Sequence, residues 1–195
     1  MLKQLEEKNF IIRKSDPMIE VIDNVFDEKT IDFLYFHYRD ASSWRFIGGN
    51  VNTDWRKFYK AIGKKSKGDI ILSNKANDIF NDKLSHLKNT HFLDKPYASG
   101  YVYGTVHDMH QDGAYPEHCY TIMFYLNKVW DISYAGETIY TDPTKTEIIC
   151  SVLPKPGRVV VFNGQIPHCA REVSRTCIEL RMVATFKYRQ NKNGH

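Results

Sequence analysis

The chain lacks the paired cysteines that staple small secreted domains. Its four cysteines (Cys119, Cys150, Cys169 and Cys177) form no CxxC motif and sit in or beside apolar runs, the usual setting of buried free thiols. No uninterrupted apolar run approaches the ~20 residues of a membrane-spanning helix. The opening Met-Leu-Lys-Gln-Leu-Glu-Glu-Lys has no apolar stretch of the secretory kind. Internal repeats and low-complexity tracts are also missing. These absences argue against a disulfide scaffold, a helical membrane protein and a solenoid. They make a reducing cytoplasm the expected compartment, with no membrane partner. A strong excess of one charge is missing too: the formal charge is +4. Such a balance permits an acidic partner without favouring nucleic acid.

What is present suits one domain with a substantial core. The chain has 195 residues, of which 42% are hydrophobic and 26% charged, and it carries 12 Tyr and 11 Phe. Residues 1–17 are polar and read as a short helix or strand. Met18–Asn24 alternates as a strand does. Asp27 can cap a helix running to about Arg39, with Ile31, Leu34, Tyr35 and Tyr38 on one face. Residues 42–69 read as irregular and carry Arg56, Lys57, Lys60, Lys64, Lys65 and Lys67, either a solvated loop or a substrate lid. A second helix is expected from Asn74 to about Lys88.

From Tyr97 the character changes. Seven short runs rich in Tyr, Val, Ile, Phe and Thr follow: 97–105, 118–126, 137–140, 147–153, 158–162, 166–170 and 177–188. Their spacing predicts a β-sandwich or barrel rather than alternating β/α units. The expected plan is a single domain over 1–195, mainly β with N-terminal helices. Residues 1–95 give helical support and a candidate lid, and 96–190 form the β-rich core.

The chemistry centres on His110-Gln111-Asp112. Strand side chains alternate, so an imidazole and a carboxylate two apart face the same way and can grip one divalent ion. One more histidine from a distant strand would complete the two-His, one-carboxylate face of non-haem Fe(II) oxygenases. Pro167-His168, 58 positions after His110, follows the strand Arg158–Phe162 and the turn Asn163-Gly164. Alone, neither piece is specific. In the strand 177–188, Glu179, Arg181, Val183 and Thr185 share one face and Ile178, Leu180, Met182, Ala184 and Phe186 the other. A buried arginine needs a partner: a bound dicarboxylate or an internal carboxylate such as Glu179. Along 120–127, Thr121, Met123 and Tyr125 oppose Ile122, Phe124 and Leu126. Tyr125 thus has a hydroxyl on the inner face, where it can also be ordinary core.

From Tyr97 to Tyr188 the chain resembles the Fe(II)/2-oxoglutarate-dependent dioxygenases, most closely the prolyl-4-hydroxylase-like branch. The matching stretches are Tyr103-Gly104, His110-Gln-Asp112, Phe124-Tyr-Leu-Asn127, Ala135-Gly-Glu-Thr138, Pro154–Phe162, Pro167-His168 and Arg181–Phe186. Residues 42–95 match least. The resemblance implies a double-stranded β-helix, of the jelly-roll or cupin kind, with helices packed on the larger sheet. It implies Fe(II) on His110, Asp112 and His168. It also implies 2-oxoglutarate held at its far carboxylate by Arg181, aided by Tyr125 and Thr185, with Tyr103 lining the pocket. Two departures stand out. The family's basic residue often falls about nine or ten positions after the second histidine, where this chain has Cys177 or Ile178; Arg181 lies 13 on and Arg175 seven. Ala135 stands where glycine is common, which is tolerable unless that residue needs a positive φ.

The implied reaction is hydroxylation of a C–H bond with O2, releasing succinate and CO2, with ascorbate a candidate reductant. A prolyl residue of a protein or peptide is the substrate the resemblance favours; a free amino acid, small metabolite or nucleic-acid base is the alternative. No protein acid or base is needed. His107 and His118 have no assigned role, although His118 is the better candidate of the two for a place beside the ligands. A non-catalytic β-helix module and a zinc hydrolase are the rival readings.

Overall fold

Alternation along the last strand divides the molecule into two cores. The computed structural model describes residues 19–48, 57–63, 65–105, 107–113 and 118–191; the expected element over 1–17 lies outside them. The described strands are β1 (Ile19–Ile22), β2 (Arg45–Ile47), β3 (Lys57–Ala61), β4 (His91–Leu93), β5 (Tyr97–Tyr101), β6 (Cys119–Tyr125), β7 (Thr138–Thr141), β8 (Ile148–Val152), β9 (Val159–Asn163), β10 (His168–Ala170) and β11 (Arg181–Gln190). The helices are α1 (Glu28–Arg39) and α2 (Lys67–Lys83). The larger sheet runs β1-β9-β6-β11-β5-β3-β2, with β4 also paired to β11; the smaller runs β10-β7-β8. All these pairings are antiparallel.

On β11, Met182, Ala184, Phe186 and Tyr188 point to the helices. They join Ile122 and Phe124 of β6, Val159 and Val161 of β9, Leu34 and Tyr38 of α1, and Leu72, Ala76 and Phe80 of α2. The opposite face packs between the sheets, through Met123, Tyr125, Val160, Phe162 and Val183 with Tyr140 and Val152 of the smaller sheet. The fold is therefore a double-stranded β-helix with helices on its larger sheet. The two faces of β6 divide as its alternation requires.

All seven β-rich runs become strands. Helix α1 starts where Asp27 accepts the Thr30 N–H at 2.7 Å. Four expectations need correcting. Helix α2 begins at Lys67 and ends at Lys83, because Ser66 caps it by accepting the Asp69 N–H at 3.1 Å. Segment 42–69 is not all irregular, since it contains β2, β3 and the first turn of α2. Lys57 and Lys60 are buried rather than solvated, Lys60 beside Asp69 at 3.6 Å. Finally, β11 starts at Arg181, which leaves Ile178 87% exposed and outside the apolar face.

The edge strand β1 is tied down electrostatically. Arg158, just before β9, donates from Nε to Asp23 Oδ1 at 2.7 Å and from Nη2 to Oδ2 at 2.9 Å, and Lys155 adds a 3.0 Å contact. The Arg158 fork lowers the Asp23 carboxyl to about 2. A carboxyl depressed in the folded state stabilises above its unfolded value, near 3.8, and loses that contribution as pH falls towards 2. Asp23→Asn is expected to cost about 1 kcal/mol at neutral pH, the scale of a partly exposed ion pair. Denaturant unfolding of both proteins should show that difference shrinking between pH 4 and pH 2.

Candidate metal and anion site

Two backbone hydrogen bonds bring distant histidines together. His110 N–H donates to His168 C=O at 3.0 Å and His168 N–H to His110 C=O at 2.9 Å. This isolated bridge sets the rings side by side, with centroids 4.5 Å apart. Asp112 is placed the same way: its N–H donates to Gly164 C=O at 2.7 Å, and Gly164 N–H donates to Cys119 C=O at 2.6 Å. A Cβ on Gly164 would lie 2.9 Å from Asp112 Cβ, so only glycine permits this approach.

Side-chain bonds then orient the donors. His110 Nδ1 lies 2.9 Å from Asp108 O and His168 Nδ1 2.8 Å from Ile166 O. A carbonyl can only accept, so each ring carries its proton on Nδ1 and keeps Nε2 as a lone-pair donor. The Nε2 atoms face Asp112, that of His110 at 3.5 Å from Oδ1 and that of His168 at 3.6 Å from Oδ2. The three ligand atoms lie within 4.8 Å of one another. Thr121 donates to Asp112 Oδ2 at 2.6 Å, and Lys187 Nζ sits 2.7 Å from Oδ1.

Burial lowers His168 to about 4, so its imidazole is neutral at physiological pH. Burial pushes the Asp112 carboxyl up, but His110, His168 and Lys187 outweigh it and hold the group well below the usual carboxylate range. Two imidazole Nε2 atoms and an ionised carboxylate on one side of a shared point suit a divalent transition metal. They leave its other side open to the cavity.

A second built feature lies in the same cleft. Arg181 is 1% exposed and lines the cavity with His110, Asp112, His168 and Thr185. Its Nε donates to Gly136 O at 2.5 Å and its Nη2 to Thr138 Oγ1 at 2.9 Å. Its Nη1 is buried with no partner among the described residues. The guanidinium lies over the Tyr101 and Tyr125 rings, 5.1 and 5.5 Å from their centroids. Glu179 does not neutralise it, since Glu179 accepts instead from Tyr35 at 2.7 Å. A buried cation with an unused donor facing a cavity suits an anionic ligand. Arg175 is exposed in the loop before β11.

The other residues singled out in the sequence divide. Thr185 lines the cleft. The Tyr125 hydroxyl is 2.8 Å from Thr138 Oγ1 and 3.1 Å from Val152 O, so it braces Thr138 under Arg181. Tyr103 does not line the cleft: it is 55% exposed in the turn after β5, and Tyr101 takes the inner position. His118 is exposed, whereas His107 packs on His110 with centroids 4.4 Å apart. Four contributors went unnoticed in the sequence: Thr121, Thr138, Tyr101 and Lys187. Lys187 shares the parity of Arg181 and Thr185, which is the signal that could have found it.

The fold is a double-stranded β-helix, and the donor set is one that could hold a divalent metal. Residues 97–189 match the family model of the 2OG-Fe(II) oxygenase superfamily. Three solved structures share its fold. A Pseudomonas putida prolyl-4-hydroxylase is 16% identical with TM-score 0.68, covering 89% of this chain and 92% of its own. A Trichoplax adhaerens prolyl hydroxylase, in complex with a hypoxia-inducible-factor peptide fragment, is 16% identical with TM-score 0.67, covering 87% and 82%. The viral collagen prolyl hydroxylase of Paramecium Bursaria Chlorella virus-1, in its 2OG complex, is 17% identical with TM-score 0.66, covering 89% and 96%. No curated protein sequence matches the chain. No helix among the described residues is long and apolar enough to cross a membrane.

The segment that holds Arg181 carries local strain. Ala135 has φ 54° and ψ −135°, and Gly136 follows at φ 73°; together they turn Gly136 C=O towards Arg181 Nε. The first of these conformations is costly for any residue with a Cβ. Ala135→Gly should therefore raise stability by about 1 kcal/mol, read as an increase in urea midpoint with an unchanged slope.

Proposed function

We propose that the chain is an Fe(II)- and 2-oxoglutarate-dependent dioxygenase that hydroxylates a C–H bond of its substrate. One observation carries this reading: a single cleft presents a two-His, one-carboxylate donor set and a buried arginine with an unpaired Nη1. A zinc hydrolase would have no use for Arg181, and a module without chemistry would have no use for three oriented ligands. Ligation by His110, Asp112 and His168 is supported by their convergence and fixed tautomers. Arg181 would receive the far carboxylate of 2-oxoglutarate through Nη1, with Thr185 beside it and Tyr125 holding Thr138 in place. Tyr101 replaces Tyr103 as the tyrosine of this pocket.

Bound Fe(II), with 2-oxoglutarate and O2, supplies the oxidation: one oxygen atom enters succinate and the other the product, and CO2 leaves. The chain's own residues bind and orient. The Asp108 and Ile166 carbonyls hold the two histidines in the ligating tautomer, Thr121 fixes one Asp112 oxygen, and the cation stack on Tyr101 and Tyr125 keeps Arg181 from turning away. The prolyl hydroxylases that share the fold make a prolyl residue of a protein one candidate acceptor; a small metabolite is the other.

Anaerobic addition of Fe(II) and 2-oxoglutarate should give a weak visible charge-transfer band that His168→Ala abolishes. Arg181→Met should weaken 2-oxoglutarate binding by roughly ten- to a hundredfold, the scale of one charged hydrogen bond, while Arg175→Ala leaves it unchanged. Absence of both the band and succinate formation in air would falsify the oxygenase reading. The reverse order of the two arginine variants would overturn the anchor.

A further inference from the structure

Asp112 is held at its N–H, its C=O and both carboxylate oxygens. The N–H donates to Gly164 C=O at 2.7 Å, and the C=O accepts from Arg189 Nη1 at 3.0 Å. The carboxylate is shared between two donors: Thr121 at 2.6 Å from Oδ2 and Lys187 Nζ at 2.7 Å from Oδ1. Both cations belong to β11 and share its inward parity. Their roles differ. Arg189 meets the backbone carbonyl and pairs with Asp94, Nε to Oδ2 at 2.8 Å. Lys187 meets a charged oxygen, and among the described residues Asp112 is its one ion-pair partner. The Asp112 side chain is 2% exposed and that of Lys187 15%, so salt and water screen this pair little.

That pairing changes what a bound metal experiences. A histidine must be neutral to ligate, so in the cluster of His110, Asp112 and His168 the aspartate brings the formal negative charge. Lys187 offsets this charge from 2.7 Å away. Thr121 adds a hydrogen bond without adding charge. The donor set and its immediate neighbour together are therefore close to neutral. A cation beside a metal is repelled in proportion to the metal's own charge, and more strongly where water is excluded. A trivalent ion loses half as much again as a divalent ion at the same point. Burial and hydrogen bonding around a ligand are thereby levers on the reduction potential of the metal.

We propose that Lys187, acting through Asp112, biases iron held by His110, Asp112 and His168 towards the ferrous state. The proposal rests on the oxygenase reading and adds to it a control on oxidation state. The step opposed is the loss of one electron from Fe(II) to O2, which leaves Fe(III) and superoxide. The ammonium raises the energy of Fe(III) more than that of Fe(II), so the couple moves to higher potential. A centre that stays ferrous between turnovers stays competent for 2-oxoglutarate and O2. Lysine suits the task because its ammonium is a compact point charge that can sit against one carboxylate oxygen. Lys187 is thus a positioning residue, carried by the strand that also carries Arg181.

The test uses the full chain loaded with iron without air, its midpoint potential read by mediated titration of the high-spin ferric EPR signal. Lys187→Met should raise the Fe(III)/Fe(II) ratio at fixed potential by roughly ten- to a hundredfold, the scale of one unit charge near a poorly solvated ion. For a one-electron couple that is a fall of about 60–120 mV. Lys187→Gln keeps a hydrogen-bond donor for Asp112 and drops the charge; it should fall likewise, and it carries the comparison if Lys187→Met does not fold. Lys187→Arg keeps the charge and should stay near the wild type. Zn(II), with a single oxidation state, reports on the position of Asp112: both uncharged variants should bind it at least as tightly as the wild type. An unmoved midpoint in the uncharged variants, or an equal fall in Lys187→Arg, overturns the proposal. So does weaker Zn(II) binding by both uncharged variants, the mark of a displaced carboxylate rather than a lost charge. Iron uptake and succinate formation with an unmoved midpoint remove the proposal alone, whereas a wild-type chain that takes up no iron removes the oxygenase reading and the proposal together.

Discussion

The pair of backbone hydrogen bonds between His110 and His168 is the constraint on which the site depends. Residues 58 positions apart in the chain must meet in register, and a shift of one residue would turn either imidazole to the opposite face. The sheets make that register hold. His168 is fixed through the pairing of β10 with β7, and β9 with its following turn brings Gly164 against Asp112 and Cys119. The two cores on either side of the larger sheet then lock β6, β9 and β11 in place. Apolar packing sets the frame, and local polar bonds do the aiming.

Residues that share a strand face are used as a unit. On β11 the inward series Arg181, Val183, Thr185 and Lys187 runs from the arginine end of the cleft to Asp112, while Met182, Ala184 and Phe186 build the helix-side core. One strand thereby supplies both stability and chemistry. Asn127 guards its start: its amide donates to Leu180 O at 2.9 Å and accepts the Met182 N–H at 2.8 Å. The backbone on both sides of Arg181 is thus held by a single buried side chain.

Much of this was legible in the sequence because it follows from period two. The seven strands after Tyr97, the two faces of β6 and the clustering of His110 with Asp112 all rest on alternation. What escaped depended on where alternation stops. Tyr101 and Tyr103 have the same parity, but β5 ends at Tyr101 and a turn at Gly104, with φ 80°, carries Tyr103 outward. Lys57 and Lys60 lie in a basic stretch, and basic residues ordinarily mark a solvated face. Here β3 pairs with β5 and buries both on opposite faces, Lys57 towards the cleft and Lys60 beside Asp69 on the helix side. The start of α2 was hidden because a Ser-x-x-Asp cap sits inside the same lysine-rich run. Ala135 shows the converse: the sequence marked it as unusual, and only the backbone shows that its φ is positive.

The distribution of buried charge links the fold to its chemistry. Stability alone would favour apolar groups where Arg181, Lys57 and Lys187 stand, since buried ions rarely repay their desolvation through protein contacts alone. All three point into the same continuous space beside one ionised carboxylate, Asp112. Among the described residues Arg181 Nη1 has no partner, so a complex that brings negative charge to it is favoured. The fold can carry this cost because the helix-side core on the far face of the sheet is apolar, and the buried Lys60–Asp69 pair beside it is closed on itself, with Tyr38 donating to Asp69. Separating the two faces of one sheet lets one be optimised for packing while the other keeps a buried donor, Arg181 Nη1, unpartnered among the described residues, which is the condition a binding site for anions requires.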